Sequence, residues 1–252
     1  MWNNLWCKLK WPKKDMEVDK ISIVIPLYNQ GQYLSEAVQS ILQQSIQAPI
    51  EIVIVDDKST DNSRQIASDL VNQLRGPIPI QLICNEQNIK LSATRNAGIR
   101  YTTGKLIVCL DADDILPTNY LLENYNTLLC GFDVAYTDMR YFGDVDTYLT
   151  LPEYDEYKLR STNFIHCSAM YRRSMWEAIK GYDEDMVLGL EDWAFWIRAA
   201  RLGYKFKKTP GTCLHYRRHA GNMLQSTKKN YPTICKQLKG KFGDWMLLPT
   251  IT

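Results

Sequence analysis

The sequence lacks the features that indicate a membrane-spanning or disulfide-rich protein. No run of eighteen or more apolar residues occurs among its 252 residues, so it predicts no membrane-spanning helix. Its seven cysteines are scattered, odd in number and never spaced as Cys-x-x-Cys, which argues against a zinc site or a disulfide framework. Trp11-Pro12 and the two lysines after it interrupt any secretory apolar segment. We therefore expect reduced thiols and a cytoplasmic protein.

The glycine-rich signatures of nucleotide binding are also missing. The sequence contains neither Gly-x-Gly-x-x-Gly nor Gly-x-x-x-x-Gly-Lys-Ser/Thr, which disfavours a dinucleotide-binding fold and a P-loop. There is no internal repeat, and the composition is that of an ordinary globular protein with room for a large core. Any nucleotide must therefore be bound by other means.

The net charge of +2 conceals two basic ends on an acidic middle. Residues 1–14 carry four lysines and no acidic residue, and residues 201–252 carry eleven Lys and Arg against Asp244 alone. In residues 1–14 the lysines alternate with Trp and Leu at helical spacing, which fits an interfacial helix on an anionic membrane or a tail packed on the body. Residues 223–252 allow the same two interpretations. Peripheral contact with the inner membrane face therefore stays open, and we expect no nucleic-acid partner.

Apolar runs and helical periodicities alternate through the first half of the chain. Strand-like runs lie at residues 21–25, 51–55, 78–84 and 105–110, and an amphipathic helical pattern follows each of the first three. This order predicts a Rossmann-like α/β fold, with a mostly parallel central sheet and helices on both faces. Further along, the patterns predict a helix at 118–129, a strand at 133–137, and a helix that continues from Trp193 to Ala200. The irregular stretch 141–162 fits a mobile loop over a cleft.

Polar residues follow three of these predicted strands. Pro26-Leu27-Tyr28-Asn29 follows the first, Asp56-Asp57 ends the second, and residues 111–114 (Asp-Ala-Asp-Asp) follow the fourth. Parallel sheets bind ligands at this edge. Three carboxylates in one turn are costly without a positive charge, which favours Mg²⁺ or Mn²⁺ holding a substrate's phosphates. A simple Asp-capped turn is the alternative.

Taken together, five motifs resemble those of family 2 glycosyltransferases of the GT-A fold. In chain order they are residues 25–29 (Ile-Pro-Leu-Tyr-Asn), 55–59 (Val-Asp-Asp-Lys-Ser), 94–98 (Thr-Arg-Asn-Ala-Gly), 110–114 (Leu-Asp-Ala-Asp-Asp) and 191–193 (Glu-Asp-Trp). The likeness extends over about residues 20–222. It implies one catalytic domain with a nucleotide-sugar-binding half (19–117) and an acceptor half (118–222), between an N-terminal segment (1–18) and a C-terminal tail or helix (223–252).

The resemblance implies an inverting hexosyl transfer that is assisted by Mn²⁺ or Mg²⁺. The donor would be a nucleotide diphosphate-sugar, with UDP the commonest nucleotide in the family. The acceptor would be a hydroxyl of a glycan or a lipid-linked saccharide, as in the synthesis of surface polysaccharides or glycolipids. Two other functions stay open: a nucleotidyltransferase, which also uses paired carboxylates, and a non-catalytic GT-A module that binds a glycan or a partner enzyme.

The same resemblance implies roles for individual residues on the donor side. Asp111 and Asp113 match the family's Asp-x-Asp pair, of which Asp113 is expected to bind the metal. His219 lies in a segment that resembles a late motif in which a His completes the metal shell or touches the diphosphate; a surface loop with incidental basic residues is the alternative. The implied donor-binding residues are Pro26 and Tyr28 at the base pocket, Asp57 at the base edge, Arg95 beside the phosphates, Asp111 near the ribose, and Arg217 at the diphosphate. Lys58 and Lys90 stand where family members often have Gly, and would add positive charge near the donor or point to solvent.

On the acceptor side, the chemistry needs a base on the opposite face of the sugar from the leaving diphosphate. Asp192 matches the family's base, and Glu191 would orient it or hold the acceptor hydroxyl; a helix-capping role is the alternative for Asp192. Trp193 is a candidate stacking face for a sugar ring or a core tryptophan. His166 is a further acceptor candidate, and a buried structural histidine is the alternative.

Overall fold

The structure is a computed structural model that describes residues 18–74, 76–221 and 224–247, without the side chains of residues 224 and 225. The basic aromatic segment of residues 1–14 lies outside the described residues, so the prediction that it binds a membrane is not addressed by the structure. None of the described helices is long and apolar enough to cross a membrane.

Strands and helices alternate strictly through the first half of the chain. The elements are β1 (Ile21–Leu27), α1 (Gly31–Leu42), β2 (Ile50–Asp56), α2 (Ser63–Gln73), β3 (Ile80–Cys84), α3 (Lys90–Arg100) and β4 (Leu106–Cys109). β1 pairs in parallel with β2 and with β4, and β2 pairs in parallel with β3. The parallel half predicted from the alternating pattern is therefore present.

The second half adds strands of mixed direction to the same sheet. Its elements are α4 (Tyr120–Leu129), β5 (Val134–Gly143), β6 (Thr147–Leu149), α5 (Glu156–Leu159), β7 (Met170–Arg172), α6 (Arg173–Ala178), α7 (Glu191–Arg201), β8 (Phe206–Arg218) and α8 (Leu224–Phe242). The strand order is β3-β2-β1-β4-β7-β5-β6. Strand β8 lies off this path and pairs in parallel with β5. One sheet therefore runs through both predicted halves.

Helices cover both faces of this sheet. Along β1, alternate residues enter different clusters: Ile21, Ile23 and Ile25 pack with the core residues of α1 and α4, whereas Val24 packs with those of α7 and α8. A strand that is buried on both faces has no solvent-exposed side that favours polar residues. The sequences of these strands are therefore continuous apolar runs. The prediction of helices on both faces is confirmed.

One prediction of local structure needs correction, and one alternative that the sequence left open is decided. The stretch 141–162 is not one irregular loop, because it contains the end of β5, strand β6 and helix α5. Its tyrosines and aspartates made it look irregular, although β6 is only three residues long and pairs with β5 through Tyr141 and Thr147. At the C-terminus, α8 packs Ile234, Leu238 and Phe242 into the core, so this segment is a docked helix and not a free tail.

Candidate active site

A cleft opens at the carboxyl edge of the parallel strands. It has a volume of about 310 Å³ and lies where β1, β2 and β4 end. Five of the predicted donor and metal residues line it: Pro26, Tyr28, Asp57, Asp111 and Asp113. Tyr28 is 45% exposed and offers an uncovered ring to a planar ligand.

Asp57 is held by the loop that precedes α3. Its carboxylate accepts hydrogen bonds from the backbone N–H groups of Ile89 and Lys90, at 2.8 and 2.9 Å, and from the Asn85 side chain at 2.9 Å. A carboxylate has about four lone-pair positions. Asp57 therefore fixes the rim of the cleft and keeps capacity for one more donor.

The two lysines that replace family glycines adopt the backbone shape that glycine would provide. Lys58 has φ +61° and Lys90 has φ +72°, both in the left-handed region that side chains rarely enter. The φ angles at these two positions are ones that glycine adopts without strain. Both lysines are exposed, and Lys90 lines the cleft, where its ammonium adds positive charge.

Arg95 is a positioning residue. It is 1% exposed, and its guanidinium donates to Asp111 Oδ1 at 2.7 Å and to Glu191 Oε1. It is not among the residues that line the cleft, and in this structure it positions Asp111 and Glu191. The thiol of Cys167 contacts the other carboxylate oxygen of Asp111, with Sγ 3.4 Å from Oδ2.

Arg217 is likewise a positioning residue here. Its Nε donates to Asp113 O at 2.8 Å, its backbone N–H donates to Asp114 Oδ1 at 2.9 Å, and its guanidinium reaches Glu36. The same guanidinium stacks between the rings of Tyr33 and Phe142. With these partners Arg217 braces the 113–114 turn, and its contact with the diphosphate stays a prediction.

The closely spaced carboxyl groups of Asp113 and Asp114 are costly to ionise, as the sequence predicts. Burial and the neighbouring Asp111 raise the pKa of Asp113, and burial with the charges of Asp113 and Asp111 raises the pKa of Asp114 well above its usual range. His219 Nε2 lies 2.9 Å from Asp113 Oδ2, and its Nδ1 accepts from Gly221 N–H, so the ring proton faces Asp113.

These residues fit a divalent cation that shares its coordination with substrate phosphates. Asp113 supplies a carboxylate at the cleft, which matches the few protein ligands that Mg²⁺ and Mn²⁺ take at phosphate sites, whereas His219 has both ring nitrogens engaged and orients that carboxylate. Asp111 has both oxygens engaged and is the weaker ligand candidate. Within the described part of the chain, no three His, Cys, Asp or Glu side chains form a complete metal cage.

Asp192 lies in the first turn of α7, and the N-cap position belongs to Leu190. Its Oδ1 accepts from Trp193 N–H at 2.7 Å and from Asn163 Nδ2 at 3.0 Å. Among the described residues no hydrogen-bond donor contacts Oδ2. Burial, followed by the charge of Glu191, raises the pKa of Asp192 to about 7. A half-buried carboxyl with one uncommitted oxygen and this pKa suits a general base near neutral pH.

Two predicted acceptor residues lie in the core. Trp193 is 1% exposed and donates its indole N–H to Leu159 O at 2.7 Å, so it has no free face for a sugar. His166 is buried, its Nε2 lies 3.3 Å from Thr137 N, and burial lowers its pKa to about 4. For both residues the structural alternative replaces the predicted acceptor role.

Three further residues belong to the site although sequence reasoning missed them. Asn163 contacts Asp192, Cys167 contacts Asp111, and Tyr216 lines the cleft beside Asp113. Asn163 and Cys167 lie in a segment without a family motif, and Tyr216 directly precedes the Arg217-Arg218-His219 stretch. Only Tyr216 carried a usable signal, namely its place next to predicted site residues.

Comparison with known proteins identifies the family. A model described as "Glycosyl transferase family 2" matches residues 22–180, and one described as "N-terminal domain of galactosyltransferase" matches residues 148–225. The first match covers more than half of the chain, so the chain belongs to glycosyl transferase family 2. The chain is also 27% identical to a chondroitin synthase of Pasteurella multocida over 90% of its own length and 24% of that protein's.

Solved structures show the same fold at low identity. The S. aureus protein TarS (residues 1–349, in complex with UDP-GlcNAc) aligns with a TM-score of 0.71 and 18% identity, over 88% of this chain and 66% of that one. A mannosyltransferase of Pyrobaculum calidifontis, in complex with GDP-Man and Mn²⁺, aligns with a TM-score of 0.71 and 17% identity, over 89% of this chain and 64% of that one. The fold is therefore of the GT-A type.

Proposed function

We propose that the protein is an inverting glycosyltransferase that moves a sugar from a nucleotide diphosphate-sugar to a hydroxyl of a glycan or lipid-linked saccharide. The observation that carries the proposal is the pairing of a donor cleft with a separate base. The cleft contains Tyr28, Asp57 and Asp113, and Asp192 is connected to it through Glu191, Arg95 and Asp111.

In this mechanism the nucleotide base stacks on Tyr28 and its edge hydrogen-bonds to Asp57. Asp113, oriented by His219, would hold a divalent cation, and that cation would supply charge stabilisation for the departing diphosphate. Asp192 Oδ2 takes the proton of the acceptor hydroxyl while that oxygen attacks the anomeric carbon from the face opposite the diphosphate. This single displacement inverts the anomeric centre, and the product diphosphate leaves on the side of the cleft.

UDP is the proposed nucleotide and Mn²⁺ or Mg²⁺ the proposed metal. The solved relatives support a nucleotide-sugar in general, since one contains UDP-GlcNAc and the other GDP-Man with Mn²⁺. The match to a chondroitin synthase supports a glycan acceptor. The chain spans only 24% of that relative, so the glycan acceptor is part of the proposal and the acceptor panel tests it.

The test combines a donor panel with two variants. The protein is incubated with Mn²⁺ and UDP- or GDP-sugars, with and without saccharide acceptors, and released nucleoside diphosphate is measured. We expect Asp192→Asn to lower kcat by roughly 10² to 10⁴-fold with donor affinity retained, because only the proton acceptor is lost. We expect Asp113→Ala to abolish the gain in donor affinity that Mn²⁺ brings.

The pH profile provides a second readout for the same base. Since Asp192 must be ionised to accept a proton, kcat/KM should rise with pH through about 7 and level off above it. Asp69→Asn, an exposed carboxylate on α2, is the matched control and should leave both measurements unchanged. Turnover by Asp192→Asn at the wild-type rate, or release of pyrophosphate in place of nucleoside diphosphate, would contradict the proposal.

A further inference from the structure

Residues 159–165 form a segment, called the strap here, that is hydrogen-bonded along α7. Because α7 carries the proposed general base Asp192, we call α7 the base helix. Two buried tryptophans of α7 donate their indole N–H groups to its ends: Trp193 to Leu159 O at 2.7 Å and Trp196 to Ile165 O at 2.9 Å. Between these two ends, Asn163 donates to Asp192 Oδ1 at 3.0 Å. The strap is therefore held in register with α7, and Asn163 is the residue it presents to the carboxylate.

The hydrogen bond from Asn163 determines how Asp192 is oriented. The terminal torsion of an aspartate is broad and nearly two-fold, so the bond from Trp193 N–H alone leaves the carboxylate freedom to tilt. A second donor on the same oxygen removes that freedom. It leaves Oδ2 with no donor among the described residues and therefore available to a substrate.

We propose that Asn163 is a positioning residue, which holds Oδ1 of Asp192 so that Oδ2 is presented to the acceptor hydroxyl. This inference rests on the proposed function and extends it to a residue outside the family motifs. The amide suits the task because it is neutral. It orients the carboxylate while removing less of its basicity than a Lys or Arg ion pair would.

The groups around Asp192 set the direction of the expected pH effect. Glu191 on the same helix raises the pKa of Asp192, whereas Arg95 on α3 and the N–H donors of Trp193 and Asn163 lower it. Cys167, beyond the end of the strap, is the further titratable group that the charge of Asp192 affects. Loss of the Asn163 donor should therefore raise the pKa of Asp192.

The decisive experiment follows the Asp192 carboxyl carbon by NMR in ¹³C-aspartate-labelled protein, with the signal assigned through Asp192→Asn. We expect Asn163→Ala to move the midpoint upward by roughly 0.5 to 1 pH unit. Asn163→Asp is nearly isosteric and should fold. It replaces the donor with a second carboxylate and should move the midpoint further upward. Asn119→Ala removes an amide hydrogen bond at the surface, from Asn119 to Gly211 O, and is the control for loss of an asparagine side chain.

Kinetics on the donor and acceptor pair found by the panel complete the test. Asn163→Ala should lower kcat roughly ten-fold, leave KM for the donor within about two-fold, and move the acid limb of kcat/KM in parallel with the NMR midpoint. An unchanged Asp192 midpoint in both Asn163 variants, or a loss of activity with an unmoved acid limb, overturns the inference. Absence of turnover in wild type alongside a shifted midpoint would instead refute the proposed function and leave the Asn163–Asp192 coupling intact.

Discussion

Arg95 connects three of the sequence motifs through one buried side chain. It belongs to the 94–98 motif, pairs with Asp111 of the carboxylate turn, and pairs with Glu191 of the base helix. Its guanidinium also lies 5.5 Å from the centre of the Tyr182 ring. This bridge suits an arginine, because the two terminal nitrogens of its rigid planar guanidinium each donate to a different carboxylate, whereas a lysine has one terminal nitrogen.

We expect Arg95→Met to lower the free energy of unfolding by about 3 to 5 kcal/mol, since it leaves Glu191 and Asp111 charged without their partner. Urea unfolding monitored by circular dichroism measures this loss. Combining Arg95→Met with Glu191→Gln should restore part of the stability, because the more deeply buried charge is then removed as well. A loss below about 1 kcal/mol for Arg95→Met would show that the cluster is not held by this ion pair.

The neighbouring Asn96 shows why a motif residue need not touch substrate. Its side chain donates to Tyr182 O and Glu184 Oε1 and accepts from Tyr182 N–H and Trp176 Nε1, all between 2.7 and 3.1 Å. All four hydrogen-bonding positions of the amide are thus used. Asn96 therefore ties α3 to the segment that leads into the base helix.

At the scale of elements, the close packing of α3 on the sheet places Arg95. A Cβ on Gly98 would lie inside contact distance of Val24 Cγ1 and 2.9 Å from Val55 Cγ2. Only glycine allows the helix to approach β1 and β2 this closely, which explains the last residue of the 94–98 motif.

We expect Gly98→Ala to cost about 1 to 3 kcal/mol of stability, because α3 must move away from two β-branched side chains that have no free rotamer space. Gly240→Ala in α8 is the control, since nothing lies within 4 Å of a Cβ at that position. It should stabilise the protein by about 0.5 to 1 kcal/mol through helix propensity. Thermal unfolding of both variants gives the comparison, and equal effects of the two changes would contradict the packing argument.

At the scale of the whole molecule, the C-terminal helix is part of the catalytic body. Ile234, Leu238 and Phe242 of α8, with Met246 after it, pack into the same core cluster as α7. Lys241 pairs with Asp183 at 2.9 Å, which fastens the segment before Glu191. The basic residues of α8 therefore lie on a helix whose opposite face is buried.

We expect removal of residues 222–252 to abolish cooperative unfolding or to cost about 5 kcal/mol or more, because each of these apolar side chains contributes about 1.5 to 3 kcal/mol when buried. Lys229→Glu together with Lys236→Glu changes only exposed positions and should leave stability within about 0.5 kcal/mol. Calorimetry on the truncated and charge-reversed proteins measures both effects. A truncated protein as stable as the full chain would show that α8 is dispensable.

The sequence by itself determined the family, the parallel half of the sheet and five of the residues that line the cleft. These features are local: apolar runs give strands, and Tyr28, Asp57, Asp111 and Asp113 follow strand ends that must meet at one edge. The same logic failed for short elements such as β6, whose pairing with β5 depends on a partner and not on its own three residues.

Only the tertiary structure decided which polar residues reach the cleft and which hold others in place. Arg95 and Arg217 carry the charge expected of phosphate ligands, but contacts from distant parts of the chain occupy their guanidinium groups. Trp193 and His166 have the chemistry of acceptor contacts and are buried by their surroundings. Asn163 has no local signature, because its role depends on a strap and a helix about thirty residues apart. Burial and partner choice arise from long-range packing, which residue type and spacing do not encode.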